Sequence, residues 1–166
     1  MPDAAGGKGA QVIVAGTTAD QERLQFARKL GAHRTVDIEQ EDLNAVIAAE
    51  TRGKGVDVAI ECAGAGGSIG ACLRSLKKMG KLIQVGIVGK EIMLDYDLIL
   101  YKQVQVIGSL AHSLSTWDKV MRILEQNKLN LKDVITHKSP LSRWEEAFDI
   151  CERKQGGKVL LYYDWD

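Results

Sequence analysis

Three runs of small residues, each closing a stretch of Val, Ile and Leu, hold the spacings from which chemistry can be read in this sequence. VDVAIECAG passes into AGGSIGACL, with Gly64, Gly66 and Gly70 spaced as GxGxxxG; KLIQVGIVGK ends in Gly86 and Gly89; VIGSLAH carries Gly108, Ser109 and Ala111. A glycine-rich turn from a buried strand into a helix lets backbone N–H groups approach a phosphate at the helix N-terminus. The same turn also serves tight packing, so one such run carries no function by itself. Three runs set small residues along one row of strand ends, and in an open α/β sheet that carboxyl edge is where ligands bind. The expectation is a nucleotide-sized cleft.

Residues for the reaction itself are sparse. His33, His112 and His137 lie far apart, outside any HExxH or ligand-cluster spacing, and read as surface or core histidines rather than metal ligands. Ser75 and Lys78 match SxxK, but RSLKK on a helix reads as a solvated basic face. Asp95 and Asp97 flank Tyr96 as an isolated DxD pair, a strand-edge or loop feature before it is a cation site. Cys62, Cys72 and Cys151 are odd in number and free of CxxC spacing, as expected of reduced thiols packed as small hydrophobes. Trp117 and Trp144 open two helical stretches and read as core or interface anchors. No catalytic or metal-binding residue is assigned.

The elements that must position the three runs follow from periodicity. Strands are expected over 11–16, 34–38, 56–64, 81–87, 104–110 and 158–163, four of them continuous apolar runs that imply burial on both faces. Helices are expected over 20–30, 40–50, 67–79, 115–127 and 142–154; Leu24, Ala27 and Leu30 share one face of the first, and Gly31 is placed to end it. This alternation is that of an α/β fold with a mostly parallel sheet flanked by helices. The 166 residues make one domain over 11–166, preceded by a flexible arm at 1–10. With 22 basic and 22 acidic residues there is no electrostatic footprint for nucleic acid or an anionic membrane. No apolar run nears the ~20 residues of a membrane span, and MPDAAGGKGA lacks the regions of a signal peptide. A cytoplasmic protein with a small-molecule or protein partner is expected.

The ordered segments VIVAGTTADQERLQFARKLGAHRTVDI, GKGVDVAIECAGAGGSI, LRSLKKMGKLIQVGI, VIGSL, THKSPLSRWEEAF and GGKVLLY resemble the coenzyme half of zinc-dependent medium-chain alcohol, sorbitol and threonine dehydrogenases. The GTTAD insertion, DLILYKQ and WEEAF are most similar to polyol or sorbitol-type members. The resemblance implies a Rossmann-like fold of six parallel strands in the order 3-2-1-4-5-6, in which Val12–Gly16 is the second strand. The first strand, its glycine fingerprint and the first helix have no counterpart here, nor do the family's zinc ligands. Gly6, Gly7 and Gly9 are no substitute, because they precede a strand and open no helix.

By the resemblance, Cys62, Ala63 and Gly64 line the adenosine side of a nicotinamide coenzyme. Val85, Gly86 and Ile87 with Gly108, Ser109 and Leu110 face its nicotinamide. Gly16, Thr17 and Thr18 stand where NAD-dependent members carry an acid for the ribose hydroxyls, and with Arg23 a turn on they can take a 2′-phosphate; Asp20 can reach the ribose instead. NADP is placed ahead of NAD on this ground. Thr18 and Gln21 also have capping-box spacing, an equally good reason for the threonines. The segment Met93–Leu100 resembles the edge through which family dimers join, implying a homo-oligomer. Two other readings stay open. One is an assembly module that completes its sheet with a partner and binds no coenzyme; the other is a nucleotide binder using Gly64–Gly70 as its own phosphate loop.

Overall fold

The computed structural model describes residues 9–126 and 131–164. The chain is α/β, and among the described residues every strand pairing is parallel. It divides into two compact units, one built from the residues up to Glu41 together with those from Leu114 onward, the other from Asp42–Ser113. Most of the arm expected over residues 1–10 lies outside the described residues. No helix among the described residues is long and apolar enough to cross a membrane.

In the first unit, strand β1 (Ile13–Gly16) runs through a short 3-10 turn, Thr18–Asp20, into helix α1 (Gln21–Lys29), which returns to strand β2 (Arg34–Asp37). Gly31 takes φ 103°, so the chain leaves the helix by the left-handed turn that glycine makes without strain. Leu24 and Val36 are buried where α1 lies against the two-stranded sheet. Helix α5 (Leu114–Glu125) buries no residue. A second parallel pair follows, β6 (Ile135–Pro140) and β7 (Lys158–Tyr162), joined through helix α6 (Trp144–Glu152) with Ala147 buried.

The second unit holds helix α2 (Leu43–Thr51), strand β3 (Val56–Glu61), helix α3 (Gly66–Ser75), strand β4 (Leu76–Gln84), helix α4 (Asp97–Lys102) and strand β5 (Gln105–Gly108). Its sheet runs β3-β4-β5, with Ala59, Leu82 and Val106 in register. Ala59 and Leu82 join Ile69, Leu73, Leu76 and Val104 in one core.

Several expectations need correction. The strands form three sheets, β1-β2, β3-β4-β5 and β6-β7, and β6 was not foreseen, because ITHKSP alternates polar residues and lacks an apolar run. Helix α4 was likewise missed within a segment expected only as an edge. The helix expected over 67–79 stops at Ser75, and 76–80 belong to β4. Those residues make an irregular detour: the pairing jumps from Val56↔Leu76 to Val58↔Lys81, with Met79 at φ 60°. Burial on both faces is also not found. In a three-stranded sheet whose core lies on one side, every second residue faces outward, so Val58 and Ile107 are exposed and Ile60 reaches 62%. Cys62 and Cys151 are exposed, not packed inside, and all three thiols are free. Trp117 and Trp144 are exposed too, so neither is a core anchor; Trp144 stacks edge-on against Phe148.

One cation ties α3 to α4. The half-buried Lys102 ammonium donates to the carbonyls of Leu73 (3.0 Å), Arg74 (2.5 Å) and Leu76 (2.8 Å), groups the helix end leaves without intrahelical partners. Charge-assisted bonds of this kind are worth about 1.5–3 kcal/mol. Lys102→Met, which keeps the stem and removes the donors, is therefore expected to lower stability by about 2 kcal/mol in a urea titration followed by circular dichroism.

Candidate functional site

In the Asp42–Ser113 unit the strand ends are organised around a carboxylate. Glu61, the last residue of β3, is only 1% exposed. Its Oε1 accepts the amide hydrogens of Ala63 (2.9 Å) and Gly64 (3.0 Å), its Oε2 accepts from Gln84 Nε2 (2.5 Å), and the Ser68 hydroxyl also donates to it. Burial pushes its pKa up, but the donors from Ser68, Gly64, Gln84 and Ala63 outweigh that and hold it below its ordinary value. Gln84 donates in addition to the Gly86 carbonyl (2.8 Å), and the Glu61 carbonyl takes the amides of Val85 (2.9 Å) and Gly86 (3.0 Å). Beyond β4, the Ser109 amide donates to the Gln84 carbonyl at 2.9 Å.

This network accounts for two glycines. A Cβ on Gly86 would lie 2.7 Å from Glu61 Oε2 and 2.8 Å from the Gly64 Cα, and one on Gly64, at φ +64°, would lie 2.8 Å from the Ile87 carbonyl carbon. The two turns press backbone on backbone, so these glycines serve close approach between the β3 and β4 ends. What the network leaves outward is the row expected to face a nicotinamide. Val85 and Ser109 are exposed, Ile87 is 79% and Leu110 84% exposed, and a Cβ on Gly108 would meet nothing. Cys62 and Ala63, expected on the adenosine side, are exposed beside them. Desolvation and the Glu61 charge raise the Cys62 pKa, which weakens it as a nucleophile.

The end of β1, in the other unit, is built differently from its expectation. Thr17, not Thr18, opens the capping box: its hydroxyl donates to Asp20 Oδ2 (2.8 Å) and its amide to the same oxygen (3.2 Å). Asp20 folds back over Gly16, where a Cβ would come 3.2 Å from the Asp20 Cβ. Thr18 turns the other way, its hydroxyl to Asp37 Oδ2 (2.8 Å) and its amide to Glu39 Oε2 (3.1 Å). Arg23 does not stand free for a phosphate: its Nε donates to the Gly156 carbonyl (3.2 Å) and its Nη1 faces Asp20 at 3.8 Å. Lys154 Nζ approaches the same carboxylate at 3.5 Å. The Thr17 hydrogen bond first, then the Lys154 charge, hold Asp20 below the usual carboxylate range.

The sequence reading missed Glu61, Gln84, Asp37, Glu39 and Lys154. Glu61 alone left a signal, a carboxylate inside the apolar run VDVAIECAG. Among the described residues no three His, Cys, Asp or Glu come together to hold a metal.

The family model described as zinc-binding dehydrogenase matches residues 3–126. The chain is 39% identical over 154 residues to D-arabitol-phosphate dehydrogenase of Enterococcus avium, covering 92% of this chain and 44% of that protein. It is 31% identical over 154 residues to sorbitol dehydrogenase of Halalkalibacterium halodurans, covering 92% and 45%. In structure it is similar to 2R,3R-butanediol dehydrogenase of Bacillus subtilis, with TM-score 0.82 and 26% identity over 93% of this chain and 44% of that one. The chain thus spans less than half the length of the curated relatives it matches.

The Glu61 network predicts a pH dependence. Glu61→Gln must set its NH2 group either against the Ala63 and Gly64 donors or against Gln84 Nε2, at an expected cost of about 2–4 kcal/mol at neutral pH. Because the folded-state pKa lies below the ordinary 4.5, this advantage is complete above about pH 4.5 and is lost as pH falls through the folded value. Urea midpoints of the two proteins should therefore converge in acid; a gap that stays constant down to the acid limit would contradict the assignment.

Proposed function

The chain belongs to the zinc-binding dehydrogenase family, and from that premise we propose that it is the coenzyme-binding portion of an NAD(P)-dependent alcohol or polyol dehydrogenase. The observation that carries this reading is the exposed row at the carboxyl ends of β4 and β5: Val85, Ile87, Ser109 and Leu110, on turns anchored by Glu61. Apolar residues and small turns at that edge suit a planar ring laid across strand ends. When bound, a nicotinamide coenzyme accepts or returns the hydride of a CH–OH group. This chain's part is to hold it in place. A polyol or a polyol phosphate is the substrate class proposed for the complete enzyme, in line with the sorbitol and D-arabitol-phosphate relatives.

The fit at the β1 end bears on the choice of coenzyme. The absence of an acid from the end of β1 suggested NADP, but Asp20, Asp37 and Glu39 all place carboxylates on Thr17 and Thr18. Carboxylates accept hydrogen bonds from ribose hydroxyls and repel a 2′-phosphate. This supports NAD over NADP. Among the described residues no cluster of ligating side chains fits a catalytic zinc. We also propose that the exposed segment around Met93, itself 98% exposed, and Leu100 joins two copies of the chain.

A second reading has its own support. Among the described strands β1 pairs only with β2 and β3 only with β4, leaving each an unpaired edge that a partner strand can complete. Calorimetric titration of the purified chain with NADH and NADPH, with its mass from light scattering, separates the two. Saturable NADH binding, at least about tenfold tighter than NADPH, is expected, without alcohol oxidation by the chain alone. A folded oligomer that binds neither coenzyme would favour the assembly module.

A further inference from the structure

A second concave place lies at the amino ends of β3 and β4, the opposite end of these strands from the turns around Glu61. Helices α2 and α3 leave between them a cleft of about 120 Å³. Asn44, Ile47 and Ala48 line it from one face of α2, Gly53 and Gly55 from the turn that follows, and Arg74 and Ser75 from the end of α3. A Cβ on Gly55 would lie 2.7 Å from the Ser75 carbonyl oxygen, so backbone meets backbone on that side; one on Gly53 would meet nothing within 4 Å. The RSLKK spacing predicts a solvated basic face for Ser75. Instead Ser75 is only 6% exposed, and its buried hydroxyl has no hydrogen-bond partner among the described residues. An unbonded buried hydroxyl is costly, which marks it as a group whose partner comes from outside the chain.

The carbonyls at the two helix ends are already taken. The Thr51 hydroxyl donates to the Ile47 carbonyl (2.6 Å), the Gly53 amide to the Ala48 carbonyl (2.8 Å), and Lys102 to those of Leu73, Arg74 and Leu76. What remains can donate: the Ser75 hydroxyl, the Asn44 carboxamide and the Arg74 guanidinium, which lies beside Gly70. Among the described residues neither of those last two side chains has a hydrogen-bond or ion-pair partner. No carboxylate lines the cleft. In the segments that frame it, 50–57 and 74–78, Arg52, Lys54, Arg74, Lys77 and Lys78 stand against Glu50 and Asp57, and Asp57 is paired with Lys77. We propose that this cleft binds a small aliphatic carboxylate, its head held by Ser75, Arg74 and Asn44 and its carbon chain laid on Ile47 and Ala48. A planar carboxylate suits the guanidinium fork. The volume is well below the roughly 300–1,000 Å³ of sites for drug-sized ligands, so the cleft suits an acid of about four carbons and excludes a nucleotide. The site does not depend on the coenzyme-binding reading.

The test titrates the whole nitrogen-15-labelled chain with sodium butyrate and follows its amide resonances, with acetate and inorganic phosphate compared at equal ionic strength. Butyrate is expected to bind with a Kd on the order of 1 mM and to move the amides of Gly53, Gly55 and Ser75 while leaving those of Gly64 and Gly86 in place. Acetate, which lacks the chain, is expected to bind about tenfold more weakly. Arg74→Gln and Ser75→Ala are each expected to weaken butyrate about tenfold. Thermal melts show that each variant is folded, and Ser75→Ala should melt no lower than wild type, because its hydroxyl gives up no bond inside the protein. No saturable shift at the cleft, or a butyrate affinity unchanged by either substitution, would overturn the site. Phosphate binding more tightly than butyrate would overturn the ligand class. A Ser75→Ala melt several degrees below wild type would show that the hydroxyl already has a partner within the fold, and the proposal would fall.

Discussion

A carboxylate with almost no access to water sets the geometry of the whole Asp42–Ser113 strand edge. Taking Glu61 out of solvent is costly unless its oxygens are fully bonded, and here donors from Ala63, Gly64, Ser68 and Gln84 converge on them. Those donors lie on three segments: the turn after β3, the start of α3 and the end of β4. Satisfying one buried charge therefore fixes all three relative to each other. The left-handed turn at Gly64 and the close pass of Gly86 are consequences of that convergence. So is the outward stance of Val85 and Ile87, since the inward side of their turn is filled by backbone.

How much of this is legible in the sequence follows from the range of the forces involved. The apolar runs at 13–16, 56–61 and 105–108 and the β-branched Thr-Val pair within 34–37 mark strands locally, and the parallel α/β class follows from their alternation with helices. The nine-residue β4 was only half legible. Its first residues read as a helical continuation of RSLKK, and it is the Lys102 ammonium, 26 positions further on, that caps α3 and lets Leu76 turn into the sheet. The strand ITHKSP was invisible because pairing with β7, not its own composition, makes it a strand. The glycine runs were placed correctly at strand ends, but their spacing could not say that Gly64 and Gly86 touch each other.

The β1 end shows the same limit for electrostatics. A reading along the chain finds Gly16, Thr17 and Thr18 where an acid is expected and infers that charge has been removed. The fold returns it from three places: Asp20 from the inserted turn, Asp37 and Glu39 from the end of β2 and just beyond. The local potential is a sum over neighbours in space, so a single position at a strand end is a poor proxy for it. Arg23 illustrates the converse. It looks like a free cation in sequence, and its partners are a carbonyl 133 positions away and the carboxylate three residues before it.

The exposed face of the β3-β4-β5 sheet bears on whether the strand-end edge needs outside support. Val58, Ile60 and Ile107 point away from the core, so that face contributes little to the unit's own stability. The bonds that shape the edge all lie elsewhere. Glu61 with its four donors, Gln84 on the Gly86 carbonyl and the Ser109 amide on Gln84 lie at the strand ends, backed by the core beneath α3 and α4. None of them includes a residue of the open face. Covering that face would add stability without re-aiming Val85, Ile87 or Leu110. The edge is shaped from within its own unit, and its form does not wait on whatever packs against the other side.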